Sequence, residues 1–152
     1  YLVRDGLIDA SHSVQIGMRG NPRTLSWLNP SKDLGYELIT MKRYREIGLD
    51  KTLATINGRL GDAPVYVTFD LDCMDPTVAP GVANIEAGVQ GFQVDEVMRL
   101  LRCIRGKNII GGDVVCMMPT KDAPNQITAH TAAAVMFEII SLVSDSLKQR
   151  GT

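Results

Sequence analysis

Two aspartates one residue apart, Asp70 and Asp72, with Asp75-Pro76 just beyond, are the side chains of this sequence best spaced to do chemistry. They close Pro64-Val-Tyr-Val-Thr-Phe, a β-branched and aromatic run that reads as a strand. Residues two apart in an extended chain project to one side, so Asp70 and Asp72 present two carboxylates together. Like charges that close raise each other's pKa unless a cation neutralises them, and a divalent metal ion does so most simply. The alternative is that one or both carboxylates cap a turn or a helix. The carboxyl end of a parallel strand is also where α/β sheets place ligands.

Residues 74–92 show no periodicity and contain Pro76, Pro80, Gly81, Gly88 and Gly91. A structureless stretch of that length belongs to a site wall more than to a connection. Its polar candidates for touching a substrate are Asn84 and Glu86, unless they only satisfy loop backbone. Asp113, after Gly111-Gly112, falls near the end of a further strand and can orient a neighbour or bind substrate. Cys116 is within reach of the same pocket, although a thiol among Val114, Val115, Met117 and Met118 also reads as a small buried hydrophobe. Cys103 reads as packing, and neither His12 nor His130 has a Glu or His at metal-ligand spacing.

The elements that must hold these groups alternate. Ser13–Met18 reads as a buried strand and Tyr36–Thr40 as a second; Asp50 is a candidate N-cap for a helix carrying Leu53, Ile56 and Leu60, with Gly61 beyond its end. After the Pro64–Asp70 strand, Gln93–Arg105 reads as a helix and Asn108–Val115 as another buried strand. A last helix runs from about Gln126 to Gln149, and its middle, Ala132–Phe137, is apolar nearly all round, which requires enclosure. Strand–helix alternation implies a parallel α/β sheet in one domain spanning residues 1–152. Four strands are few for a sheet that needs both faces covered.

Composition narrows the function classes. Across 152 residues, 45% are hydrophobic and 22% charged, so a packed core is expected and disorder is not. Sixteen basic and 17 acidic residues leave a net charge of −1, with no basic field for nucleic acid or anionic lipid. No apolar run approaches the ~18–20 residues that span a bilayer, and Tyr1–Asp9 lacks the pattern of a secretory signal. The three cysteines form no CxxC pair and read as reduced thiols. The expectation is a cytoplasmic protein with a small or metal-bound partner.

Phosphatases that use the first Asp of a DxD pair as nucleophile carry Thr or Val two residues after the second Asp, and a later Gly-Asp with another acid four residues on. Met74 and Met117 occupy those positions here. By contrast, Tyr66-Val-Thr-Phe-Asp70-Leu-Asp72-Cys-Met-Asp75-Pro76-Thr-Val-Ala-Pro80-Gly81 resembles the ureohydrolase signature of arginases and agmatinases, S-F-D-x-D-x-x-D-P-x-x-A-P-G. Gln15-Ile-Gly-Met-Arg-Gly20 is similar to the family's QIGIRG strand, and Asn108-Ile-Ile-Gly-Gly-Asp-Val-Val115 to its NIVGADVV strand.

The resemblance implies a three-layer α/β/α fold with a parallel sheet, incomplete in this chain, and hydrolysis of a guanidino or amidine compound, agmatinase-like, with two Mn2+ ions. It implies Asp70 and Asp72 as metal ligands, Asp75 and Pro76 as shapers of the turn behind them, and Asp113 as a pocket support. It further implies a homo-oligomer, trimeric or hexameric, acting on a small guanidino substrate to release urea and an amine. Three departures stand out. The family's GGDHS-like and DAHxD-like segments are missing, so the chain reads as a C-terminal portion, inactive alone or purely structural. The Glu that the family places after DVV is Cys116, which cannot form a bidentate pair with a guanidinium. The family's GTGTPE is Gly81-Val-Ala-Asn-Ile-Glu86, which puts Asn84 in place of a Thr. Either the substrate differs, or Glu86 takes over cation binding, or activity is lost.

Overall fold

Four strands and four α-helices form in a computed structural model that describes residues 1–86, 88 and 90–151. The order is β1 (Val14–Ile16), α1 (Asn29–Asp33), β2 (Glu37–Ile39), α2 (Met41–Leu60), β3 (Val65–Asp70), α3 (Val94–Arg102), β4 (Ile109–Val115) and α4 (Ile127–Gln149). β1 pairs with β2 and β3 with β4, both in parallel, so among the described residues the sheet consists of two strand pairs. Each pair is closed by a helical crossover. The pairs share one apolar core, in which Ile39, Met41 and Tyr44 meet Phe92, Val97, Ile109 and Ile139.

Three expectations are corrected. The helix before β3 starts at Met41, where the Thr40 hydroxyl caps it by accepting from the Arg43 amide at 3.1 Å, and not at Asp50. Gly48, at φ 78° and ψ 171°, breaks this helix into two segments, a conformation essentially confined to glycine. The predicted start captured only the second segment. The middle of α4 is not enclosed: Val135 and Ile139 are buried against the sheet, yet Phe137 is 71% exposed and Ile140 57%. Finally, α4 is by length and composition long and apolar enough to cross a membrane. In the structure it lies against β4 and α3, where its Glu138 pairs with Arg102 at 2.9 Å and its Asp145 with Arg105 at 2.7 Å.

The start of α4 is tied to the irregular segment that follows β3. Asp122, upstream of the helix, accepts from the amides of Thr128 at 3.1 Å and Ala129 at 3.0 Å, neutralising unpaired donors at the helix start. The Thr128 hydroxyl then accepts from the Gly81 amide at 2.8 Å. This fixes Pro80-Gly81, the turn that leads to Asn84 and Glu86.

Candidate metal centre

β3 alternates, with Val65, Val67 and Phe69 turned toward the core and Tyr66, Thr68 and Asp70 toward the open face. At its end the chain enters a single 3-10 turn, Leu71–Cys73, with Leu71 fully buried. One oxygen of Asp70 accepts from the Asp72 amide at 2.9 Å, so the capping role holds for that atom. The turn also swings Asp72 back beside Asp70. Cys116, one residue past Val115, the register partner of Asp70, joins them. One donor atom from each of Asp70, Asp72 and Cys116 lies within 4.8 Å of the others.

The electrostatics are those of crowded acids. Burial first, and the Asp70 charge second, push the Asp72 carboxyl above the ordinary carboxylate range; hydrogen bonds from the main chain and side chain of Asn84 oppose the rise. Asp72 Oδ1 is buried and has no hydrogen-bond partner. Burial, followed by a hydrogen bond to Asp70, pushes the Cys116 thiol up to about 11. At neutral pH that thiol is protonated and Asp70 is its acceptor. An unpartnered buried carboxylate oxygen beside a second carboxylate suits a divalent cation, because oxygen donors match hard ions and the cation would offset the repulsion.

Of the other predicted residues, Asn84 and Glu86 line the same cleft of about 270 Å3 as Asp70 and Asp72, between the chain ends of β1 and β3. The Glu86 side chain lies against Gly20, where any side chain would collide with its carboxylate. Asp75 sits behind the cleft and holds the turn, accepting from the Thr77 amide at 3.0 Å, the Thr77 hydroxyl at 2.6 Å and the Gly91 amide at 3.0 Å. Asp113 stands two residues short of the end of β4 and is not part of the cluster. Its carboxylate is taken by the Tyr66 hydroxyl at 3.0 Å and the Thr68 hydroxyl at 2.8 Å, on the open face of the sheet. Residues 87 and 89 of the predicted irregular stretch lie outside the described residues.

Sequence reasoning missed Arg19, which ties the cleft together. From the segment after β1 its guanidinium donates to the Asp72 carbonyl at 3.0 Å, the Met74 carbonyl at 2.6 Å and the Glu86 carbonyl. No local pattern marks it in the sequence, because its partners at Asp72 and Met74 come from a segment 53 to 55 residues away. A separate cleft of about 290 Å3 between α2 and α3 holds no comparable chemistry, since Arg45 and Tyr44 already satisfy Glu96 there.

Comparison with known proteins follows the same lines. The model of the arginase family matches residues 1–141. An agmatinase of Citrobacter koseri is 38% identical over 137 residues, covering 90% of this chain and 41% of its own length. Among solved structures, the proclavaminate amidino hydrolase from Streptomyces clavuligerus superposes with a TM-score of 0.84 at 31% identity, over 95% of this chain and 46% of that one. A hypothetical agmatinase from Burkholderia thailandensis gives 0.81 at 34% identity, over 99% of this chain and 44% of its own. The chain therefore spans about two fifths of the length of the curated relatives it matches, and it shares their parallel α/β architecture. By the match over residues 1–141, the chain belongs to the arginase family.

Proposed function

We propose that this chain supplies part of the metal centre and substrate pocket of a ureohydrolase that cleaves a guanidino or amidine compound, agmatinase-like, to urea and a primary amine. The observation that carries this reading is the Asp70–Asp72 pair at the end of β3, with Asp72 Oδ1 buried and unpartnered. Asp70 and Asp72 would hold divalent ions, with Mn2+ as the expected metal and two ions in a complete site. Such ions, when bound, supply a water nucleophile at neutral pH for attack on the planar guanidinium carbon. Asn84 orients the Asp72 carboxylate. Glu86 faces the cleft as the carboxylate available for the substrate cation in place of the Glu replaced by Cys116. Arg19 keeps the Asp72 turn and the Glu86 loop in register, and Asp75 keeps the segment behind them closed.

The chain offers three clustered donors, about half of a six-coordinate sphere. This favours a second reading for the segment taken alone: a weak metal site without turnover, in a structural or oligomer-forming part. The protein is proposed to be cytoplasmic, homo-oligomeric and independent of nucleic acid and membrane.

The test pairs Mn2+ binding, followed by electron paramagnetic resonance on wild type and Asp70→Asn, with urea release from the intact manganese-loaded protein across a panel of guanidino compounds. Binding that Asp70→Asn abolishes, with urea from at least one compound, is the expected result. Equal binding by the variant removes Asp70 as a ligand. Metal binding without urea from any compound leaves the structural reading standing and overturns the hydrolase.

A further inference from the structure

Cys116 is the group whose placement the proposed chemistry leaves least explained. It has no bidentate acceptor to offer a guanidinium, yet its sulfur points into the acidic cluster, within 4.8 Å of a carboxylate oxygen from each of Asp70 and Asp72. Its backbone is held there firmly. The residue has φ 67°, unusual for anything but glycine. Two main-chain bonds clamp the turn: the Ala83 amide donates to the Cys116 carbonyl at 3.3 Å, and the Met118 amide donates to the Gly81 carbonyl at 2.8 Å. Val82 and Met117 pair between them in an antiparallel bridge. The loop that carries Asn84 and Glu86 therefore also fixes the sulfur toward the carboxylates. The other two thiols differ: Cys103 is engaged with the Leu100 carbonyl on α3, and Cys73 packs against the apolar core.

We propose that Cys116 is a third ligand of the metal ion held by Asp70 and Asp72, and that it shifts the selectivity of this centre from Mn2+ toward thiophilic divalent ions such as Co2+ and Zn2+. The inference rests on the reading of the two aspartates as ligands and refines which ion they hold. Donor chemistry sets the preference. Two carboxylates alone favour hard ions that ligate through oxygen, whereas a thiolate at the third corner adds a soft donor that Mn2+ uses poorly and Zn2+ or Co2+ uses well. On ligation the sulfur gives its proton to solvent and its lone pair to the ion; no redox partner is needed. The unpartnered Asp72 Oδ1 and the sulfur then face one ion from the segments just past β3 and β4, which ties the ends of the two strands together.

The experiment adds Co2+ alone to the 152-residue chain in a Cys73→Ala/Cys103→Ala background, with circular dichroism as the check of folding. The expected result is a near-ultraviolet thiolate-to-cobalt charge-transfer band that Cys116→Ser removes, with Co2+ and Zn2+ affinity falling about tenfold or more and Mn2+ affinity barely changed. In the unmutated chain, Zn2+ should protect Cys116 from alkylation, read residue by residue by mass spectrometry, and this needs no substitution at that position. Co2+ bound without the band, or equal alkylation of Cys116 with and without Zn2+, overturns the ligand role of the sulfur and leaves the aspartates as ligands. No binding of any of the three ions overturns the metal centre as well.

Discussion

At the scale of single residues, one aspartate in the cleft and one behind it have surroundings that act in opposite directions. Asp75 is held below the ordinary carboxylate range by the Thr77 hydroxyl first and the Thr77 amide next. A depressed folded-state value means that Asp75 stabilises the fold above pH 3.8, its ordinary value, and that this contribution fades as the pH falls below it. Asp72 is raised by burial and by Asp70, so its charged form is disfavoured in the fold. Its favourable contribution is present only below pH 3.8, and stability is lost as the pH climbs through the elevated folded value. Thermal melts of the metal-free chain under chelator should therefore separate the two. Asp75→Asn should lower stability at pH 7 by about 1–2 kcal/mol, the difference between charged and neutral hydrogen bonds, with the gap closing toward pH 3. Asp72→Asn should raise stability at pH 7 while removing metal binding, and its gain should also vanish toward pH 3. A loss of stability in Asp72→Asn at pH 7 would mean that the fold, and not an ion, is what this carboxylate serves. Of these side chains the DxDxxDP spacing made the aspartates legible from sequence. Arg19 was not, because its partners at Asp72 and Met74 lie 53 and 55 residues away and no local pattern joins them.

At the scale of elements, legibility follows how strongly local preference and burial agree. β3 is readable because Pro64 opens a β-branched and aromatic run, β4 because Ile109-Ile110 and Val114-Val115 flank its glycine pair, and α3 because Asp95 and Glu96 open it and Arg102 closes it. The first half of α2 was hidden, since Lys42, Arg43, Arg45 and Glu46 give it little apolar periodicity and Gly48 interrupts the chain. What makes this segment helical is tertiary: Met41 and Tyr44 are buried in the core, and the Tyr44 ring meets Phe92 edge-on at 4.9 Å. Gly48 then lets the chain change direction before its second segment returns to β3. A side chain at Gly48 would meet open space, so only the backbone penalty remains. Gly48→Ala is expected to cost about 1–3 kcal/mol in urea unfolding, the penalty for a residue with Cβ in that region. A cost near zero would show that the kink relaxes into a continuous helix.

At the scale of the whole molecule, both outer surfaces expose apolar groups that a three-layer fold of this kind would be expected to cover. The open face of β3 and β4 carries Tyr66 at 58%, Ile110 at 50% and Val115 at 39% exposure, and the outer side of α4 carries Phe137 and Ile140. The all-round apolarity of α4 suggests enclosure because sequence records what a helix can bury and not which side meets a partner within this chain. Contiguous apolar surface and unpaired strand edges both promote association. We expect copies of this chain to associate in solution through these faces. Light scattering should give a mass above the 16.6 kDa of one copy, and Phe137→Lys with Ile140→Lys should move it toward a single copy while leaving the helical signal intact. The lysines point away from Val135 and Ile139, so the core against β4 is not disturbed. A wild-type mass of one copy at all concentrations would mean that these faces are stable in water uncovered. A mass unchanged by the two lysines would assign the association to the strand edges in place of α4.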